Sequence, residues 1–400
     1  MRRRLFTTVA TVAAGAIALT AAVVGGEPAA AAVGPTTLPA GEFTLTANYH
    51  QFDALNSALT ANLGTASVAT VMANANHDRT ALPSTFSVSG LAAGFDFDSG
   101  DNGDCTNFPQ GITTSRDAVG DTNGGNYDGH QLVLVSWYTK DGCAGAEARS
   151  RITLVDWDAT YPNNYRKILL VQPTGTAAAP SFTDIPIHAG GVSWYGDDLY
   201  VADTGHGMRV FDMKDILRTN TGGTAGQIGC TSTTVCHAHN YAYVLPQIGT
   251  VTSNTTSGTN LAWSSIALDR VSGSIVMAEY TCQSGCTSFP NRAPRAVRFP
   301  FASGATTFAT TTTASQALQL PWYNLNGVVS HNGRWWFNSS GQKKLYYWTP
   351  TAGAVTFPWV SGGESLSYWE DSAQPDLLWT LQETVGNRNV FAVDQDAYDG

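Results

Sequence analysis

Charged side chains are scarce in this 400-residue chain: Asp, Glu, Lys and Arg together make up 13% of it. The Glu/Lys/Ala-rich blocks from which helical proteins are built are therefore missing. Positive charge is the scarcer sign, and the formal net charge of −10 argues against nucleic acid and other polyanionic partners. No Gly-x-Ser-x-Gly elbow, phosphate loop, Gly-x-Gly-x-x-Gly fingerprint or His-Glu-x-x-His motif occurs. Serine-hydrolase, nucleotide-binding and zincin chemistries are left without support. After residue 32 no stretch holds 18 uninterrupted apolar residues, so the mature chain is expected to be free of membrane spans.

Three arginines at Arg2 to Arg4 precede an apolar, Ala-rich run from about Val9 to Val24, which ends in small residues through Ala32. A basic start, a short apolar run and a small-residue cleavage zone predict a secretory signal peptide over residues 1–32. The protein is then expected outside the cell, as a monomer. Six cysteines, at 105, 143, 230, 236, 282 and 286, suit three disulfides in an exported chain. Their intervals suggest Cys230–Cys236 and Cys282–Cys286, leaving Cys105–Cys143. The Cys282/Cys286 spacing has no second Cys or His pair near it, and zinc is not expected there.

Glycine is plentiful, 40 residues, and aromatics supply 10%. From about Asn107 a unit of short apolar strands and tight turns recurs five times. Its clearest copy runs from Gly190 through Tyr195, turns at Gly196 to Asp198, and continues over Leu199–Asp203 and Met208–Asp212, with a fourth strand expected at Tyr241–Leu245. Four-stranded repeats that cannot bury both faces alone predict an all-β fold: a β-propeller of five four-stranded blades over residues 86–400. A β-sandwich or β-helix accounts less well for the repeated signature. No fourth strand is evident after Val393. The segment Phe86–Phe97 is expected to supply it and close the ring, although as a separate strand pair it would make a sixth blade. Residues 33–85 are an extension in which Tyr49 to Leu63 has helical spacing of apolar residues, a short N-terminal helical segment packed on the propeller.

The repeat places the loops entering the first strands and leaving the second strands on one face, around the mouth of a central channel. Fifteen residues separate His188 from Asp203, and the same interval separates Ser264 from Glu279. Asp203 and Glu279 thus occupy equivalent places on neighbouring blades, and two carboxylates facing one cleft are what glycoside hydrolysis requires. His188, before two glycines that let backbones approach, is the third candidate catalytic group. Against this stands a structural reading: Asp203 before Thr-Gly-His-Gly suits a turn cap, and Glu279 a packing role. Gln110, Tyr138, His206, Arg209, Tyr280, Trp322, Tyr323, Asn326, Asn338 and Glu364 are expected on the same face, where rings and amides suit a sugar. No cofactor is required by this chemistry. Asp96, Asp98, Asp101 and Asp104 have the composition of a structural calcium loop without the terminal Glu of an EF-hand, and a solvated acidic loop is the simpler reading. His237 and His239 fall on the opposite face and are not expected to bind zinc.

The repeats, chiefly His188 to Asp212 and Asn326 to Trp348, resemble those of secreted bacterial β-propeller proteins over the last three quarters of the chain. That resemblance implies an architecture shared by glycosidases, polysaccharide lyases, lectins and scaffolds. The function expected is a secreted glycoside hydrolase acting on a glycan or polysaccharide. A lectin-like module without turnover and a polysaccharide lyase are the alternatives. The scarcity of basic residues near the mouth disfavours the lyase.

Overall fold

The structure, a computed structural model, describes residues 30–139, 148–157, 164–256 and 258–400. Successive antiparallel meanders form the blades. The first consists of Asn107–Thr114, Leu132–Thr139, Ser150–Asp156 and Tyr165–Thr176. The second consists of Val192–Tyr195, Asp198–Asp203, Gly207–Asp212 and the long strand Tyr243–Thr255. Trp263–Asp269, Ser274–Glu279, Arg295–Pro300 and Gln316–Gln319 make the third. Leu325–His331, Arg334–Ser339, Lys344–Thr349 and Gly353–Pro358 make the fourth. The last contains Gly363–Trp369, Leu377–Gln382 and Asn389–Asp394, and Leu91–Asp96 completes it. Each first strand packs against the first strands of the blades before and after it, and the last packs against the first, so the ring is closed.

The fourth strand of the second blade lies later than the repeat suggests. Val244–Pro246 pairs in parallel with Leu169–Val171 of the first blade, and the residues that follow, Gln247 to Thr252, pair with Phe211 to Gly207. One thirteen-residue strand is long enough to serve both sheets.

The N-terminal segment is a belt around the rim. Ala30–Ala32 pairs with the outer strand of the fourth blade, Thr36–Leu38 with that of the third, and Phe43–Asn48 with that of the second. A helix, Asp53–Leu63, then packs on the outer strand of the first blade, and Leu91–Asp96 enters the last. The outer edges of the second, third and fourth blades, which would otherwise present unpaired backbone, are thereby covered. The helix begins four residues after Tyr49, with Asp53 in its first turn favouring the positive end of the dipole, and stops at Gly64 at φ 68°. A shorter helix, Val68–Ala73, is capped by Ser67, whose hydroxyl accepts from the Thr70 amide at 3.1 Å. The predicted leader lies outside the described residues except for Ala30–Ala32.

Strands sandwiched between neighbouring blades are buried on both faces, which explains their nearly unbroken apolar runs. Trp137, Trp194, Trp263, Trp335, Trp336 and Trp379 fill the wedges between blades and are fully buried. Each such side chain contributes roughly 2–3 kcal/mol on leaving water. At the narrow inner ring the reverse is needed. A Cβ on Gly191 would sit 2.3 Å from the Ile266 amide nitrogen, and one on Gly327 2.8 Å from the Ser365 backbone. Small residues therefore precede the apolar residue of each first strand: Gly111-Ile112, Gly191-Val192, Ser265-Ile266, Gly327-Val328 and Ser365-Leu366.

Cys230–Cys236 and Cys282–Cys286 are disulfides, as their spacing suggests. The Cys105–Cys143 pairing falls on Cys143, outside the described residues. Among the described residues no helix is long and apolar enough to cross a membrane.

Candidate functional site at the channel mouth

Four of the first strands break register at the same height, between Pro109 and Ile112, Trp263 and Ser265, Leu325 and Gly327, and Glu364 and Ser367. A bulge re-aims side chains and ends pairing locally. Gln110, Ser264 and Asn326 fall in the bulges and Glu364 at the edge of one, so the repeat sets these side chains around the ring at one level.

Glu364 is 2% exposed, and the Asn326 amide nitrogen lies 2.5 Å from both of its carboxyl oxygens. Burial, followed by the negative charge of Glu383, pushes its pKa well above the ordinary carboxylate range; the Asn326 hydrogen bond opposes this only in part. The uncharged acid of Glu364 is thereby favoured over its carboxylate. Glu383 is less buried and accepts from the Gln110 amide at 2.7 Å. Tyr138 feels both carboxyls: burial, then Glu383, then Glu364 raise its phenol. Its ring lies 4.2 Å from that of His188, which is exposed. Ser340 donates to the Asn326 carbonyl oxygen at 2.9 Å and fixes the amide's orientation. Asn338 is fully buried with neither amide atom hydrogen-bonded, and its nitrogen lies against Gly363. Arg388, fully buried, braces the site from behind by donating to the Asp101 and Asp104 carbonyls.

Gln110, Tyr138, His188, Asn326 and Glu364, and Asn338 beside them, are thus assembled as the repeat suggests. Asp203 and Glu279 are employed elsewhere. Glu279 is fully buried beneath two arginines: Arg292 donates at 2.5 and 2.6 Å, Arg295 through its side chain at 2.9 Å twice, and the Ala262 and Arg295 amides at 2.8 and 2.9 Å. Although burial works against it, the two arginines hold the carboxyl below its ordinary value. Asp203 accepts from Arg209 at 3.0 Å and contacts His206 at 3.1 Å. Arg209 in turn donates to Gln172 and Gln247, so these three residues form a separate cleft over the outer strands. Tyr280 packs on Phe289 at 4.6 Å and accepts from Asn324. Trp322 is 5% exposed and stacks on Tyr346 at 4.4 Å, a packing role; Tyr323 next to it is half-buried, and its carbonyl accepts from Ser339.

Glu383 is a site residue outside the expected set: the repeat brings it to this face beside Gln382, one residue beyond the end of its second strand, without assigning it a role.

The acidic loop is organised by protein donors. Asp98 caps a helical turn and contacts His77 at 2.7 Å, while Asp96 and Asp104 accept from Asn102 and Thr106. Asp101 meets Arg151, Lys167 and Tyr165. His77, Asp98 and Asp101 converge closely enough to share a metal, yet Arg151 and Lys167 already neutralise Asp101, so this donor set does not fit a cation. His237 contacts the Asn220 carbonyl and His239 contacts Asp184.

No protein-family model and no curated protein matches the chain. Among solved structures it overlaps the β-propeller domain of Cps50 (Swd1) from Myceliophteria thermophila at 8% identity and a TM-score of 0.33, covering 72% of this chain and 96% of that one. Virginiamycin B lyase from Staphylococcus aureus overlaps at 10% identity and 0.31, over 72% and 95%. The PQQ-bound aldose sugar dehydrogenase from Streptomyces coelicolor overlaps at 11% identity and 0.30, over 76% and 82%. At these scores the overlaps carry no argument. The chain's own strand ladders make it an all-β propeller.

Proposed function

We propose that this chain is a secreted, five-bladed propeller that hydrolyses glycosidic bonds with Glu364 and Glu383 at the channel mouth. The observation that carries the reading is the pair of carboxyls whose environments differ: Glu364 buried, with its pKa pushed up, and Glu383 nearer the surface and felt by Glu364 as negative charge. Environments that push two carboxyl pKa values apart assign acid and base roles. Glu364 would give its proton to the leaving oxygen and Glu383 would activate water or attack the anomeric carbon. The Tyr138 ring suits the C–H face of a sugar, and Gln110, Asn326 and His188 suit its hydroxyls.

A lectin-like role is favoured by one observation, the 2% exposure of Glu364, since a general acid must reach the atom it protonates. A glycan screen that reads binding and released reducing ends separates the two. Turnover lost in both Glu364→Gln and Glu383→Gln supports hydrolysis; binding without release in the unaltered protein supports the lectin.

A further inference from the structure

A second cleft, of about 210 Å³, opens away from the carboxyl pair, where the outer strand of the first blade meets the turn before Tyr243. Arg151, Arg166, Lys167, His77, His239 and Tyr241 line it, and among the described residues no carboxylate does. In a chain with 31 acidic and 21 basic residues, three fixed cations around one small cleft is an inverted balance. The carboxylates lie behind the cations. Asp101, 3% exposed, takes both Lys167 at 2.5 Å and Arg151 at 3.2 Å, while Asp98 attracts Lys167 and Asp104 attracts Arg151 from further back. Among the described residues Arg166 meets the Asn74 carbonyl, at 3.0 Å, and the face of Tyr243, at 5.4 Å. His239 is anchored at the cleft by the Ala225 carbonyl, 2.8 Å from its Nδ1, and by Asp184, 2.9 Å from its Nε2. Burial, and then the neighbouring Arg151, hold the Lys167 pKa down against the pull of Asp101 and Asp98.

We infer that this cleft binds a small oxyanion, a sulfate, phosphate or carboxylate group, held by Lys167, Arg166 and Arg151. The cleft's size suits one such head group and not a long chain. The inference goes beyond the glycosidic reading and does not depend on it.

The test is calorimetric titration of the full protein with sulfate, inorganic phosphate and glucuronate, each against chloride at equal ionic strength. Saturable binding of one or more of them is expected, at least tenfold weaker in Lys167→Gln and in Arg166→Gln and unchanged in Asp203→Asn. Sulfate or phosphate binding assigns the site to a free inorganic anion, and glucuronate binding alone assigns it to an acidic sugar. Arg166→Gln removes one bond to a backbone carbonyl and one ring contact, but no ion pair among the described residues, and keeps the test open if Lys167→Gln misfolds. Chloride acting equally well, no saturable binding, or affinity unchanged in both variants would overturn the inference.

Discussion

Replacing Glu279 by Gln should cost this propeller about 3–5 kcal/mol of folding stability, the range for removing one partner of a buried ion pair. The number follows from what remains. The Gln amide keeps one acceptor oxygen where the carboxylate served two arginines and two backbone amides. Arg295, 8% exposed, would stay buried with its remaining contacts at the Asn260 carbonyl and over the Phe43 ring. Arg292 is 26% exposed and can turn partly to water, so most of the penalty belongs to Arg295. Denaturant unfolding with intact disulfides measures the loss as a shift in midpoint at constant slope. A loss below about 1 kcal/mol would refute the reasoning, because it would mean that the cluster is solvated or replaceable. In the same variant, any glycan-releasing activity of the folded fraction should stay near that of the unaltered protein, since Glu279 serves the blade and not the channel.

Glu364 makes folding stability depend on pH. Its folded pKa is raised, so the stability it contributes is fully present below the unfolded value of about 4.3 and is lost as pH rises towards the folded value, by about 1.4 kcal/mol per pH unit inside that window. Glu364→Gln should flatten this fall of stability with rising pH, leaving the share of Asp96 and Asp198, each pushed up to about 6 chiefly by burial; an unchanged slope would place the carboxyl in water. Gly191→Ala should destabilise by about 1–3 kcal/mol, because the added methyl meets backbone of the third blade that cannot turn aside; thermal unfolding at unchanged stability would show that the inner ring can spread.

The repeat was legible because the fold imposes it: each blade needs the same small residue at the inner ring and the same apolar strands behind. Even the closing strand could be read, since Val393 ends a blade that lacks a partner and Leu91–Asp96 supplies it. The rim belt was harder to read. Ala30–Ala32 and Thr36–Leu38 are three-residue strands specified by backbone pairing to distant edges, with too little side-chain periodicity to register. At the site, the first-strand positions Gln110, Asn326 and Glu364 followed from the repeat. The catalytic assignment did not, because equivalence between blades fixes where a backbone goes and not what its side chain meets. Asp203 and Glu279 occupy equivalent positions, yet Arg209, Arg292 and Arg295 claim them. Those arginines lie 6, 13 and 16 residues further along, at offsets that differ between blades.

The central claim is that the carboxyl pair at the channel mouth performs chemistry on glycans. It is tested most directly by incubating the purified protein with a panel of neutral polysaccharides and measuring released reducing ends, beside Glu364→Gln, Glu383→Gln and Asp203→Asn. The account predicts release by the unaltered protein and by Asp203→Asn, and a loss of at least about a hundredfold, the lower bound for removing a general acid or base, in each glutamate variant. Release that survives in both glutamate variants, or binding with no release by the unaltered protein, would contradict it.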